Sequence, residues 1–338
     1  MTLLGNAPRA EVTADDRARP LYADSGRGDR VFRAGARSIG VLVLLITGGI
    51  GVFLTYQAVP TIGTYGWSFF TTVDWSPGRG VVGIVAVLAG TILVALVAIT
   101  VAFPLALATA LFITEYAPPK LRATLVSLVD LMAAVPSIVY GLWGVFLLQD
   151  NFIYLARWLH QNLGFIPLFA VRSDADAASW AQLDYTKSML IAGVVVAMMV
   201  LPVACSVMRE VFSQTPPGER EAALALGSTR WGVVRAVVLP FGRGGIIGGT
   251  MLGLGRALGE TIAVVLVLSP AFELKWQVAE IGGATISSLI ALSFGEATAG
   301  TLSALLAAGL VLFVFTLVIN SVAAVIVGRS RSGATTDI

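Results

Sequence analysis

Residues 244–268 read GGIIGGTMLGLGRALGETIAVVLVL, an apolar stretch interrupted by two charged side chains, Arg256 and Glu260. A guanidinium presents a rigid fork of donors that matches the oxygens of phosphate and related oxyanions. A carboxylate four residues further on can hold that fork when no anion occupies it. If the stretch is one helix, positions 245, 249, 253, 256 and 260 fall within an arc of about 80°. Gly245, Gly249 and Gly253 then share a face with the two charges. Glycines at four-residue spacing let two membrane helices approach closely. An arginine facing lipid at the centre of a span costs about 3 kcal/mol, so this face should look inward. Two readings stay open. The pair is an ion pair that fixes helix packing, although Arg ahead of Glu is the weaker order. Alternatively, Arg256 meets an oxyanion in transit and Glu260 holds the guanidinium between passages, with binding weak enough to release.

The elements that position these residues follow from composition. Of 338 residues, 57% are hydrophobic and 12% charged, against about 25% charged in soluble domains. Mean hydropathy is +0.85. The expected fold is all-α and polytopic, since a crossing takes about 20 apolar residues. Six stretches qualify: 39–59, 81–113, 123–148, 189–211, 244–268 and 301–327. Pro104, Pro136 and Pro202 fall inside three of them and should kink or break them. The first stretch follows a long polar segment without a small-residue cleavage site, and is read as a retained span. Residues 1–38 are expected to form a disordered tail, 39–327 the six-helix domain and 328–338 a second tail.

An even number of crossings places both termini on one side. Sixteen basic residues fall on that side against five on the other (Arg79, Arg157, Arg172, Lys187 and Lys275), which makes both ends cytoplasmic. The outer connections are then 60–80, 149–188 and 269–300. The long middle one carries Tyr154, Trp158, Trp180 and Tyr185 and suits a lid or a partner contact. Trp67 and Trp75 suit a membrane interface. A net charge of +2 without a basic patch gives no case for nucleic-acid binding. Cys205 and His160, each the only residue of its type, assemble neither a disulfide nor a metal site.

The cytoplasmic connection 212–240 holds a second set of residues with informative spacing. Pro216 and Pro217 suit a helix start, with Glu219 and Glu221 opposing its positive end. Ala222, Ala223, Leu224 and Leu226 supply a small apolar surface, and Gly227 suits a left-handed C-terminal cap. Ser228 is expected to cap a second helix that ends at Pro240. The product is a helix, turn, helix. Alanines flanked by acids bury little area in lipid, yet let another protein approach the backbone, which favours docking over an interfacial hairpin.

Glu221, Ala222, Ala223, Gly227, Val237, Leu239 and Pro240 resemble the EAA motif of bacterial ABC importer permeases, with Val237 where isoleucine is commoner. The resemblance implies that the hairpin inserts into a separate ATP-binding subunit. With no G-x-x-x-x-G-K-[ST] loop in this sequence, ATP and Mg are expected on that partner, and no cofactor on this chain. The stretch around Arg256, the segment AAVPSIVYGLWG at 133–144 and the long middle outer loop are similar to the phosphate branch of the family, PstC type more than PstA type. That resemblance covers about residues 65 to 327. It implies a pore shared with a PstA-type permease in a bacterial plasma membrane, a PstB-type ATPase dimer and a PstS-type phosphate-binding protein. Arg256 and Glu260 fall where that family is expected to carry its charged pair, and Ser137 and Tyr140 would add hydroxyls. A permease for sulfate or molybdate, a secondary transporter and a non-transporting sensor or scaffold are the alternatives. No nucleophile, base and orienting partner recur at a spacing that points to enzymatic chemistry.

Overall fold

The computed structural model describes residues 27–171 and 185–330. Residues 1–26 and 331–338 of the expected tails 1–38 and 328–338, and Arg172 and Trp180 of the middle outer loop, lie outside the described residues. The chain divides into two units after Ile50. Of the first, the N-terminal part of helix α1 (Arg27–Tyr65) is described. It begins ahead of Ile39, inside the stretch expected to be a disordered tail. Asp29 in its first turn opposes the helix dipole and pairs with Arg33 at 2.7 Å, one turn on.

The described residues of the second unit, from Gly51 on, are mostly helical, with one antiparallel pair of two-residue strands. After the short α2 (Ser68–Thr71), β1 (Trp75–Ser76) pairs antiparallel with β2 (Val81–Val82), in the register Trp75 to Val82. Trp75 is buried beside Phe69 and Ile84 rather than at an interface, whereas Trp67 is exposed. The core lies between α3 (Val85–Leu111) and α7 (Met189–Ser213). Most alanines of α3 and most small or branched residues of α7 are almost fully buried, so the two helices run in close contact. Pro104 and Pro202 are accommodated inside these helices without breaking them.

The third expected span is displaced. Helix α4 (Pro119–Ala134) stops at Val135, where Pro136 excludes the helical conformation of its predecessor. A new helix starts at Ser137: α5 (Ser137–Trp143), a π-helical turn Gly144–Leu148, and α6 (Gln149–Leu163). Residues Ser137–Leu163 form the apolar helix long enough to cross a membrane, so Gln149–Leu163 of the connection expected at 149–188 is helix. The loop 269–300 is likewise partly structured. Thr285 and Ser288 form a capping box for α13 (Ile286–Ser293), and the Ile286 amide donates to Thr91 Oγ1 of α3 at 3.0 Å. Helix α14 (Ala299–Ser330) follows. Five described helices are long and apolar enough to cross a membrane, and a sixth arises if the bent pair Arg230–Phe241 and Arg243–Gly259, 68° apart, counts as one.

Candidate transport site and coupling hairpin

The hairpin is built as two helices around a glycine turn. Pro216 precedes α8 (Pro217–Ala225), with Glu219 in its first turn. Gly227 adopts φ +84°, a left-handed conformation open to glycine at little cost. Thr229, not Ser228, caps the second arm, its hydroxyl accepting from the Gly232 amide at 3.2 Å. That arm comprises α9 (Arg230–Val233), a π-helical turn Val234–Val238 and α10 (Leu239–Phe241). The arm ends at Phe241, one residue past Pro240, so the proline marks its end to within one residue. Glu221, Ala222 and Gly227 are exposed, Ala223 and Leu239 half-buried and Pro240 exposed. Val233, Val234 and Val238 anchor the arm in the core formed with Phe212 and Met208.

Helix α11 (Arg243–Gly259) returns along α7. A Cβ at Gly245 would lie 2.5 Å from Val211, at Gly249 2.9 Å from the Ala204 carbonyl, and at Gly253 2.6 Å from Val200. All three glycines are buried, so the stripe sets the approach of these two helices.

The single helix expected through 244–268 is broken. Glu260 ends α11 in an extended conformation, and α12 (Ile262–Val267) starts after Thr261. Arg256 and Glu260 therefore do not share a continuous helical face. Among the described residues no carboxylate lies within ion-pair range of Arg256. Instead the Glu260 carboxylate accepts from the Ala263 amide at 3.4 Å, a capping geometry that offsets the positive end of α12. Its expected role as holder of Arg256 does not hold in this arrangement. Arg256 is exposed and Glu260 half-buried.

The two broken helices meet. A Cβ on Gly141 of α5 would lie 3.0 Å from Ala263 Cα of α12, and one on Gly144 3.1 Å from Val267. Tyr140, in the same helix as Gly141, is buried. Its hydroxyl donates to the Met132 carbonyl at 2.8 Å, across the break at Pro136. Tyr140 thus satisfies a carbonyl left by the interrupted helix, and its one proton is committed there. Ser137, half-buried in the first turn of α5, has no such partner among the described residues. Asn320 of α14 was not singled out from sequence: its Oδ1 would lie 3.1 Å from a Cβ on Gly255, and its amide is exposed. A lone polar residue in an apolar run was the available signal.

Residues 102–332 match the family described as Binding-protein-dependent transport system inner membrane component. The Mycobacterium tuberculosis protein "Phosphate transport system permease protein PstC 2" is 39% identical over 91% of this chain and 94% of its own length. The "Phosphate transport system permease protein PstC" of Mycobacterium leprae is 40% identical over 91% and 95%. That of Pasteurella multocida is 35% identical over 88% and 91%. Among solved structures, a chain of the MetNI methionine ABC transporter aligns with a TM-score of 0.51 at 17% identity, over 76% of this chain and 99% of its own. A bacterial ABC transporter involved in the import of alginate aligns with a TM-score of 0.50 at 16% identity, over 89% and 99%. Those two likenesses bear on the fold alone. By the extent of the family match and the identity to its relatives, this chain belongs to the binding-protein-dependent transport system inner membrane components, in the group of phosphate transport system permease proteins PstC.

Proposed function

We propose that the chain is a channel-forming subunit of an ATP-driven importer of inorganic phosphate. Arg256 carries this reading: a guanidinium within the membrane domain, exposed and without a carboxylate partner among the described residues. A charge of this kind is costly beside lipid and is tolerated where it faces a polar pathway. Its fork suits a phosphate oxyanion, and a single cation binds it loosely enough for release. In this reading Tyr140 and Ser137 add hydroxyls at the helix break after Pro136. Glu260 holds the start of α12, and so the shape of the break, rather than the solute.

In this reading the hairpin is the coupling element. Glu221, Ala222, Ala223 and Gly227 dock on a PstB-type ATPase dimer that binds ATP and Mg, and Leu239 and Pro240 lead the motion back to α11. The pore is completed by a PstA-type permease and fed by a PstS-type phosphate-binding protein. The complex sits in the bacterial plasma membrane with both termini of this chain cytoplasmic. The decisive experiment is ATP-dependent phosphate uptake by vesicles holding the complete complex, wild type against Arg256→Gln at matched assembly, with sulfate as competitor. Uptake should fall by about tenfold or more, a loss in keeping with removal of a hydrogen bond to a charged group, and sulfate should not compete. Undiminished uptake reduces Arg256 to packing, and preferential sulfate transport overturns the choice of substrate.

A further inference from the structure

A charged cluster at the foot of α7 includes none of the residues assigned above to the pathway. Glu115 lies in the π-helical turn Phe112–Tyr116 that closes α3, 3.0 Å from the guanidinium of Arg220 in α8. The same Nη2 donates to the Phe212 carbonyl in the last turn of α7 at 2.8 Å. One side chain thus joins the end of α3, the end of α7 and the first arm of the hairpin. Arg122 of α4 donates to the Thr114 carbonyl at 2.6 Å, fixing the turn that carries Glu115. The second arm bears on the same point: a Cβ at Gly242, where the hairpin bends into α11, would collide with the Phe212 ring.

Stability is a poor explanation for this arrangement. Glu115 and Arg220 are only 12% and 27% exposed, and Glu115 Oε1 and Arg220 Nε lack aligned hydrogen bonds. Desolvation then offsets most of the Coulombic gain. What the pair supplies is a fixed connection for a helix that has no buried residue of its own.

We propose that Arg220 is a positioning residue which, through Glu115 and the Phe212 carbonyl, makes α8 and the feet of α3 and α7 move as one body when a partner displaces the hairpin. This rests on the transport reading for the origin of the force. Spin labels in the full complex test it, at Gly218→Cys of α8 and Leu105→Cys of α3 in a Cys205→Ala background. A Cβ at Gly218 meets nothing within 4 Å, and Leu105 is exposed.

The label separation should be single, narrow and unchanged by ATP, and should broaden in Glu115→Gln and Arg220→Gln. A wild-type separation that shifts with ATP, or variants with the wild-type distribution, overturns the proposal. Because this readout needs no transported solute, it stands even if the phosphate reading fails. At matched assembly, each variant should also hydrolyse roughly tenfold more ATP per oxyanion moved, and the double variant should be no worse than one of them, as residues in one contact are non-additive. Losses that multiply count against a shared link. If the glutamine variants do not assemble, Glu115→Asp keeps the charge but withdraws it by one methylene, and should broaden the separation; an unchanged distribution there overturns the proposal.

Discussion

Arg256 and the glycine stripe ahead of it illustrate how residue type and residue environment divide the work. Gly245, Gly249 and Gly253 are excluded from being anything larger by side chains and backbone of α7 within 2.9 Å of where a Cβ would stand. Gly253→Leu should therefore force α11 away from Val200. The cost is of the order of the 1–3 kcal/mol typical of overpacking or more, read as a lower thermal midpoint of the detergent-solubilised complex. Gly259→Ala, where nothing lies within 4 Å, is the control and should leave the midpoint unchanged. The stripe and the arginine were legible in the sequence, because both are local patterns of type and spacing. The separate fates of Arg256 and Glu260 were not, since a four-residue interval pairs side chains only if the helix continues between them.

At the scale of elements, the hairpin is the part that sequence described most fully. Its prolines, acids, alanines and Gly227 each act within a few residues of themselves. The error there was equally local: Thr229 caps where Ser228 was expected. Because Gly227 is at φ +84° with open space around it, Gly227→Val should act on the backbone alone. A left-handed conformation costs a residue with a Cβ about 1–2 kcal/mol, and more for a β-branched one. The ATPase subunit should co-purify less well with that variant, whereas Gly218→Ala, equally open but without a positive φ, should have no effect. The third span was misplaced because Gln149–Leu163, with Asp150, Arg157 and His160, lowers the local hydropathy. The helix nevertheless continues from α5 through a π-helical turn.

For the whole molecule, the placement of basic residues makes a prediction about sidedness. Gly218→Cys in the hairpin and Gly78→Cys in the turn between β1 and β2 occupy open positions, while the native Cys205 is fully buried. In right-side-out vesicles an impermeant maleimide should label Gly78→Cys and spare Gly218→Cys, with the reverse in inverted vesicles. Labelling of both from one side would overturn the assignment of both termini to the cytoplasm.

The sequence by itself determined the solvent, the helical class, the helix–turn–helix hairpin and the small-residue stripe, because each follows from composition or from residues close in the chain. Only the tertiary structure decided that the fifth stretch breaks at Glu260, that the third begins anew at Ser137, and that these two starts pack together through Gly141 and Ala263. It also decided that Arg220 reaches both Glu115 and Phe212. Those outcomes depend on which distant surfaces fill the space around a helix end. A broken helix persists where a neighbour satisfies the carbonyls it frees, as the Tyr140 hydroxyl does for Met132, and no local pattern states which neighbour that will be.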